Sequence, residues 1–408
     1  MRRYLEVLRT PGAALVLLSA FPARLAYGMI SLGIYFKVQH ATGSIAAAGL
    51  AVGLNGIAGA TTAGLRSALI DRLGLRIPLR IFVPLYSLTI ALFNYSHGTV
   101  FLITFAFLLG FTGPPINLAV RPLWKAIVPS ELIRATYAID TAAMSISAVI
   151  GPVLITALAL SKHPIWALNA TALSMLLGGV ALALLQVTKD WRPESKVKNA
   201  VHILKLPAIR VLIIEGIFIG LGYGAFDIAV PAYTTLEHVA YRTGWIFGTM
   251  AVFNIIGSLL AGLISKRSTP LGAFKINYAI WTVVVIPLAF TFPDWSLIIN
   301  SALLGLVIGA QMVFYWEITE TVRPQGAAAS ALGWLWTFEG TAASIGSIIG
   351  GWISQNYSPK YCFAFMALCV FIGYLIINRG SKHLQAANKI SLEADDALFH
   401  SKVPDVSS

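Results

Sequence analysis

Long apolar stretches alternate with short polar ones along the whole chain. About 20 apolar residues make a helix that crosses a bilayer. Twelve such spans can be read, at 12–36, 43–66, 78–96, 99–120, 136–160, 164–186, 208–233, 243–265, 272–291, 296–316, 327–353 and 360–378. Glycine and proline recur inside them, which a membrane tolerates because neighbouring helices satisfy the freed backbone groups. The pattern therefore predicts an all-α, polytopic membrane protein of twelve transmembrane helices.

Composition strengthens this reading. Of the 408 residues 57% are hydrophobic and 11% charged, and the mean hydropathy is +0.77. A soluble domain carries about a quarter charged residues. The basic N-terminus precedes an apolar run too long for a cleavable leader and without a small-x-small cleavage site. The two cysteines, Cys362 and Cys369, sit seven residues apart in one span. That is about 10 Å of helix rise, too far for a disulfide.

The net charge of +12 could suggest a nucleic-acid partner. Its distribution argues otherwise. With the N-terminus inside, 24 of the 29 Lys and Arg fall in the cytoplasmic segments, four in the outer loops, and Arg24 within a span. This is the positive-inside bias. It predicts a multi-pass protein of the cell membrane with both termini cytoplasmic, a lipid environment and no nucleic acid.

The halves of the chain resemble each other. "LAYG" (25–28) recurs as "LGYG" (221–224), "IAGATTAGL" (57–65) as "IIGSLLAGL" (255–263), and "LLG" (108–110) at 303–305. The offsets are 196, 198 and 195, half the chain. The expected organisation is a six-helix bundle over 1–186, a polar connector at 187–206, a second bundle over 207–379 and a disordered tail over 380–408. Pro207 suits the first turn of the helix after the connector.

Two six-helix halves around a mid-membrane site is a transporter architecture. The segment 66–80 carries five charges between two spans. Within it Asp71, Arg72 and Gly74 fit G-x-x-x-D-R-x-G-R-[RK], with Ser67 at the first glycine and Arg76 and Arg80 as a thinned basic cluster. On these residues the chain resembles a major facilitator superfamily transporter, particularly the bacterial drug and metabolite efflux members. Gly151 and Pro152, in "SAVIGPVL", resemble the fifth-helix G-x-x-x-G-P motif of the family's antiporters, with Ser147 at the first glycine. The resemblance implies that Asp71 caps the N-terminus of the eleventh helix, at "RPQGAAAS" (323–330), when the cavity is closed to the cytoplasm. A carboxylate there meets unpaired N–H groups and the helix dipole.

Charged residues inside spans are costly and mark cavities or pairs. Arg24, Asp227 and Glu339 are the candidates for the cavity. Glu215 and Asp140 lie nearer helix ends and are expected to reach the interface. Arg24 stays protonated and needs compensation, for which Asp227, Glu215 and Glu339 are the carboxylates considered. In the family the first, fourth, seventh and tenth helices line the cavity. This implies lining roles for Asn117, Gln311, Tyr27, Tyr223, Tyr315 and Trp316. All seven histidines fall in loops, span edges or the tail. No intramembrane His metal site, phosphate-binding loop or cofactor is therefore expected.

The chain is thus read as a secondary transporter, not an enzyme, working as a monomer by alternating access on a small-molecule substrate. Proton-coupled export is the leading expectation. Proton-coupled uptake is its rival, with Arg24 holding a substrate carboxylate or phosphate, and a non-transporting receptor or scaffold is more remote.

Overall fold

The computed structural model describes residues 2–191, 203–263, 269–322 and 328–402. The first half contains α1 (Arg2–Arg9), α2 (Ala13–Thr42), α3 (Ile45–Leu73), α4 (Arg76–Tyr95), α5 (Thr99–Thr112), α6 (Ile116–Ile127), α7 (Ile133–Ala159) and α8 (Ile165–Leu184). The short α9 (Gln186–Asp190) follows, and 192–202 of the connector lies outside the described residues. The second half contains α10 (Pro207–Leu236), α11 (Arg242–Leu263), α12 (Pro270–Val285), α13 (Trp295–Val322), α14 (Ala328–Asn356) and α15 (Pro359–Lys402).

Ten helices are long and apolar enough to cross a membrane alone, among the described residues. The consecutive α5 and α6 form the fourth of the twelve crossings and α14 the eleventh. Twelve crossings put the start of α2 and the end of α15 on one face, called here the terminal face; the other is the distal face.

Local chemistry sets the boundaries. Gly43, in the left-handed region at φ 68°, stops α2, and the Ser44 hydroxyl accepts from Ala47 N at 3.1 Å to start α3. Pro207 opens α10, as its missing N–H allows. The expected fourth span is broken at Gly113–Pro114–Pro115, because two adjacent prolines remove two ladder donors. The expected disordered tail is helical through 380–402. Its polarity argued against burial, but its Ala, Leu, Lys and Glu are good helix formers.

The repeat is carried by close backbone approach. A Cβ on Gly28 would meet Ser147 O at 2.9 Å and the Gly151 Cα at 3.5 Å. At an offset of 196, a Cβ on Gly224 would overlap Ala343 O and Ser347 N. Likewise Gly110 packs on the Asn55 carbonyl and Gly305 on that of Met250, an offset of 195. The match of 57–65 with 255–263 at 198 is thus close to one helix turn out of the structural register.

Each half has its own apolar core, one centred on residues such as Met29, Phe93 and Trp124, the other on Phe226, Phe274 and Phe363. The halves meet on the distal side. Gly49 and Gly53 of α3 pack on Ser347, Gly351 and Ser344 of α14, and Ile45 N donates to Gln355 Oε1 at 2.7 Å. Gly244 and Gly248 of α11 pack on Pro152 and Val153 of α7. Toward the terminal face α3 and α14 separate: a Cβ on Gly64 or Gly340 would have no neighbour within 4 Å among the described residues. The interior therefore opens toward the terminal face.

Candidate functional site

An aromatic framework is duplicated in the two halves. Tyr27 lies 6.3 Å from Tyr86, centroid to centroid, at 54°. Tyr223 lies 6.1 Å from Trp281 at 60°. Tyr27 and Tyr223 correspond at an offset of 196, and Tyr86 and Trp281 at 195. The charges are not duplicated. Arg24 corresponds to Gly220, Asp227 to Ser31 and Glu339 to Ala143. Among the described residues, intramembrane cations lie in the first half and the acids without a cationic partner in the second.

In the first half Arg24 is 4% exposed and grips Asp140, 3% exposed, with Nη1–Oδ1 at 2.8 Å and Nη2–Oδ2 at 3.1 Å. Its Nε donates to Asn117 Oδ1 at 3.2 Å. Arg24 is thus compensated by Asp140, not by Asp227, Glu215 or Glu339. The expectation that Asp140 reaches the interface is also corrected. A helical side chain leans toward its own N-terminus. Arg24 on α2 therefore leans toward the terminal face, which brings it level with Asp140 near the start of α7.

A second cation, half-buried, sits in the segment that the sequence presents as polar. Arg66 belongs to α3, which runs on to Leu73. The same N-terminal lean carries it inward, to the break between α5 and α6. Its Nη1 donates to Gly113 O at 2.6 Å and Gly110 O at 3.4 Å, and its Nη2 to Gly59 O at 2.5 Å. The Tyr27 hydroxyl donates to Pro114 O. Carbonyls released by the two prolines are thereby satisfied. A cavity of about 340 Å³ opens beside the break, lined by Arg66, Tyr27, Tyr86, Asn55, Asn117 and Pro114 among others.

In the second half Glu215 is 3% exposed and accepts from the Tyr278 hydroxyl at 2.6 Å. It faces inward and does not snorkel. Nearby, Asn277 Nδ2 donates to Gln311 Oε1 at 2.7 Å. Glu215 Oε2, Gln311 Nε2, Tyr315 Oη and Trp281 Nε1 are buried without a partner among the described residues. All four residues line one small cavity, about 50 Å³, with Tyr223 and Glu339. Such unpaired atoms each cost about 1–3 kcal/mol, and four around one space make it a candidate site.

Asp227 stands apart. It opens into a cavity of about 190 Å³ between the halves, with Tyr27, Tyr35, Pro152 and Phe247. Pro152 thus borders this space, and Gly151 lets α7 approach Gly28 on α2. Gly74 closes α3 at φ 76°, a conformation suited to glycine. Arg72 is exposed in the last turn of α3, and Arg76 opens α4. Ser67 and Asp71 lie on α3, with side chains outside those described, and 323–327 are likewise outside the described residues.

Residues 16–346 match the family model of the Major Facilitator Superfamily. The chain belongs to that family. An uncharacterized MFS-type transporter of Sinorhizobium fredii, y4rN, is 24% identical over 325 residues, 75% of this chain and 79% of that protein. Among solved structures, the nucleoside transporter NupG superposes with a TM-score of 0.70 at 14% identity, covering 94% of this chain and 100% of that one. A bacterial homologue of the iron transporter ferroportin in an inward-facing state gives 0.72 at 14% identity, covering 90% and 98%. This MFS protein is a multi-pass membrane transporter for small molecules, not an enzyme.

Proposed function

We propose that this transporter exports a small amphipathic molecule in exchange for protons, from a cell membrane in which both termini are cytoplasmic. The observation that carries the reading is the second-half site. Glu215 and Glu339 share an aromatic-walled cavity in which no cation pairs with them among the described residues. A proton and a cationic substrate group compete for such carboxylates, and competition of that kind is exchange. Tyr223, Trp281 and Tyr315 supply ring faces suited to an organic cation. The Lys and Arg asymmetry supports the orientation, which makes the observed opening cytoplasmic.

Arg66 favours a second reading, uptake of an anion together with a proton, because it keeps a positive charge beside a cavity in the first half. Direction separates the two. In cells loaded with a transported compound, dissipating the proton gradient is expected to raise accumulation under export and lower it under uptake. Unchanged accumulation under complete uncoupling would remove proton coupling from both readings.

Asp71 fits the same cycle as a latch for the opposite state, formed when α3 and α14 approach on the terminal side. Asp71→Asn loses a charge–dipole attraction of about 0.3–2 kcal/mol. It should increase cytoplasmic labelling of a cysteine placed at Asn117. Unchanged labelling and unchanged transport would reduce Asp71 to a surface charge.

A further inference from the structure

We infer that the cavity at the α5–α6 break is a binding subsite for the carboxylate of a small organic acid, held by Arg66 and Tyr86. The inference goes beyond the proton-exchange reading and does not depend on the direction of transport.

The first argument is donor accounting. A guanidinium has five N–H donors and no acceptor. Gly110, Gly113 and Gly59 carbonyls take three of them, two from Nη1 and one from Nη2. Nε–H and one Nη2–H remain without a partner among the described residues. No carboxylate among the described side chains pairs with Arg66, in contrast to Arg24, whose charge Asp140 neutralises. The carbonyls satisfy hydrogen bonds but leave the positive charge. A carboxylate matches the two remaining donors in number and supplies the missing charge, and paired arginine–carboxylate hydrogen bonds are among the strong ones.

The second argument is independent. Tyr86 of α4 is 3% exposed, yet its hydroxyl has no hydrogen-bond partner among the described residues, and it lines the same cavity. A hydroxyl that makes no hydrogen bond and reaches a cavity is a donor free for an acceptor placed there. Arg66 and Tyr86 therefore offer donors to one space from two helices.

The walls define the rest of the ligand. Tyr27, Ile30, Leu109 and Pro114 present apolar surface, with Asn55 and Asn117 as the neutral polar groups. At about 340 Å³ the cavity falls at the lower end of small-molecule sites, about 300–1,000 Å³. An acid with a compact apolar or aromatic body fits this lining better than a bare inorganic anion.

The test uses the full chain purified in detergent, with benzoate as probe, benzamide as its neutral isostere and inorganic phosphate as the bare anion. A ligand that binds the folded state raises its thermal midpoint. Benzoate should do so in a saturable manner, benzamide should not, and phosphate should do so less. Tyr86→Phe, which removes one hydroxyl, should weaken benzoate roughly three- to tenfold. Arg66→Lys should weaken it more, because lysine keeps the charge without the fork. Arg66→Lys also perturbs the break, so Tyr86→Phe is the decisive variant. Equal shifts from benzoate and benzamide, a larger shift from phosphate, or full benzoate affinity in Tyr86→Phe would overturn the inference.

Discussion

Asp140→Asn is expected to be the most destabilising single substitution among the intramembrane polar groups. It leaves the Arg24 guanidinium, 4% exposed, without an anion while keeping the shape of the site. Breaking a buried ion pair from one side costs about 3–5 kcal/mol, and the membrane gives the orphaned charge little water to turn to. The pair ties α2 to α7, and Asn117 extends it to α6, so the loss should loosen three helices of the first half together. Removing both charges is different, because an apolar replacement of a buried pair is often neutral or stabilising. Asp140→Asn should therefore lower the thermal midpoint in detergent strongly. Arg24→Met combined with Asp140→Leu should recover most of it, and Asn117→Ala should cost about 1 kcal/mol. An Asp140→Asn protein as stable as the parent would show that the pair does not hold these helices.

The twelve crossings were legible because apolar length has no competing explanation over so many repeats. The half-chain offset was legible in three short matches, and Gly28 with Gly224 shows why it survives: each sits where a side chain would strike a neighbouring backbone. What could not be read was lateral. Arg24 has four carboxylates within plausible depth, and choosing Asp140 required knowing that α2 packs on α7 and which way the side chain leans. Arg66 was hidden by its neighbours, because a cation followed by Asp71, Arg72 and Arg76 looks like the start of a loop. The signal that could have found it is the pair of prolines at 114 and 115, which release carbonyls that some donor must meet. Tyr86 and Tyr278 were hidden for another reason: a tyrosine in an apolar span is usually packing, and only the partner geometry separates the cases.

The three acids of the second half carry the functional prediction with the largest effect. Glu215, Asp227 and Glu339 have no cationic partner among the described residues, and they occupy two spaces: Glu215 and Glu339 one cavity, Asp227 the gap between the halves. A proton carrier must be reachable in one state and shielded in another, and it must lie where substrate or closure can influence it. Glu339 meets both conditions. It packs opposite Gly216 and Gly220 of α10, on the helix whose distal half forms the contact with α3. Closure on the terminal side would move α14 and its carboxylate together. Glu215 is held by Tyr278, which restricts its motion and suits a fixed partner of the cycle more than its carrier. Glu339→Gln is therefore expected to abolish gradient-driven transport while leaving counterflow, which needs no net proton movement, within a few-fold of the parent. Glu215→Gln should impair both, because it alters the hydrogen bond that fixes Tyr278 at the cavity wall. Asp227→Asn should mainly change substrate affinity, because its carboxylate faces the space between the halves. The measurement is paired driven uptake and counterflow in proteoliposomes at matched protein density. Full driven transport in Glu339→Gln would exclude Glu339 as the carrier. The same outcome in all three variants would end the case for coupling through these carboxylates.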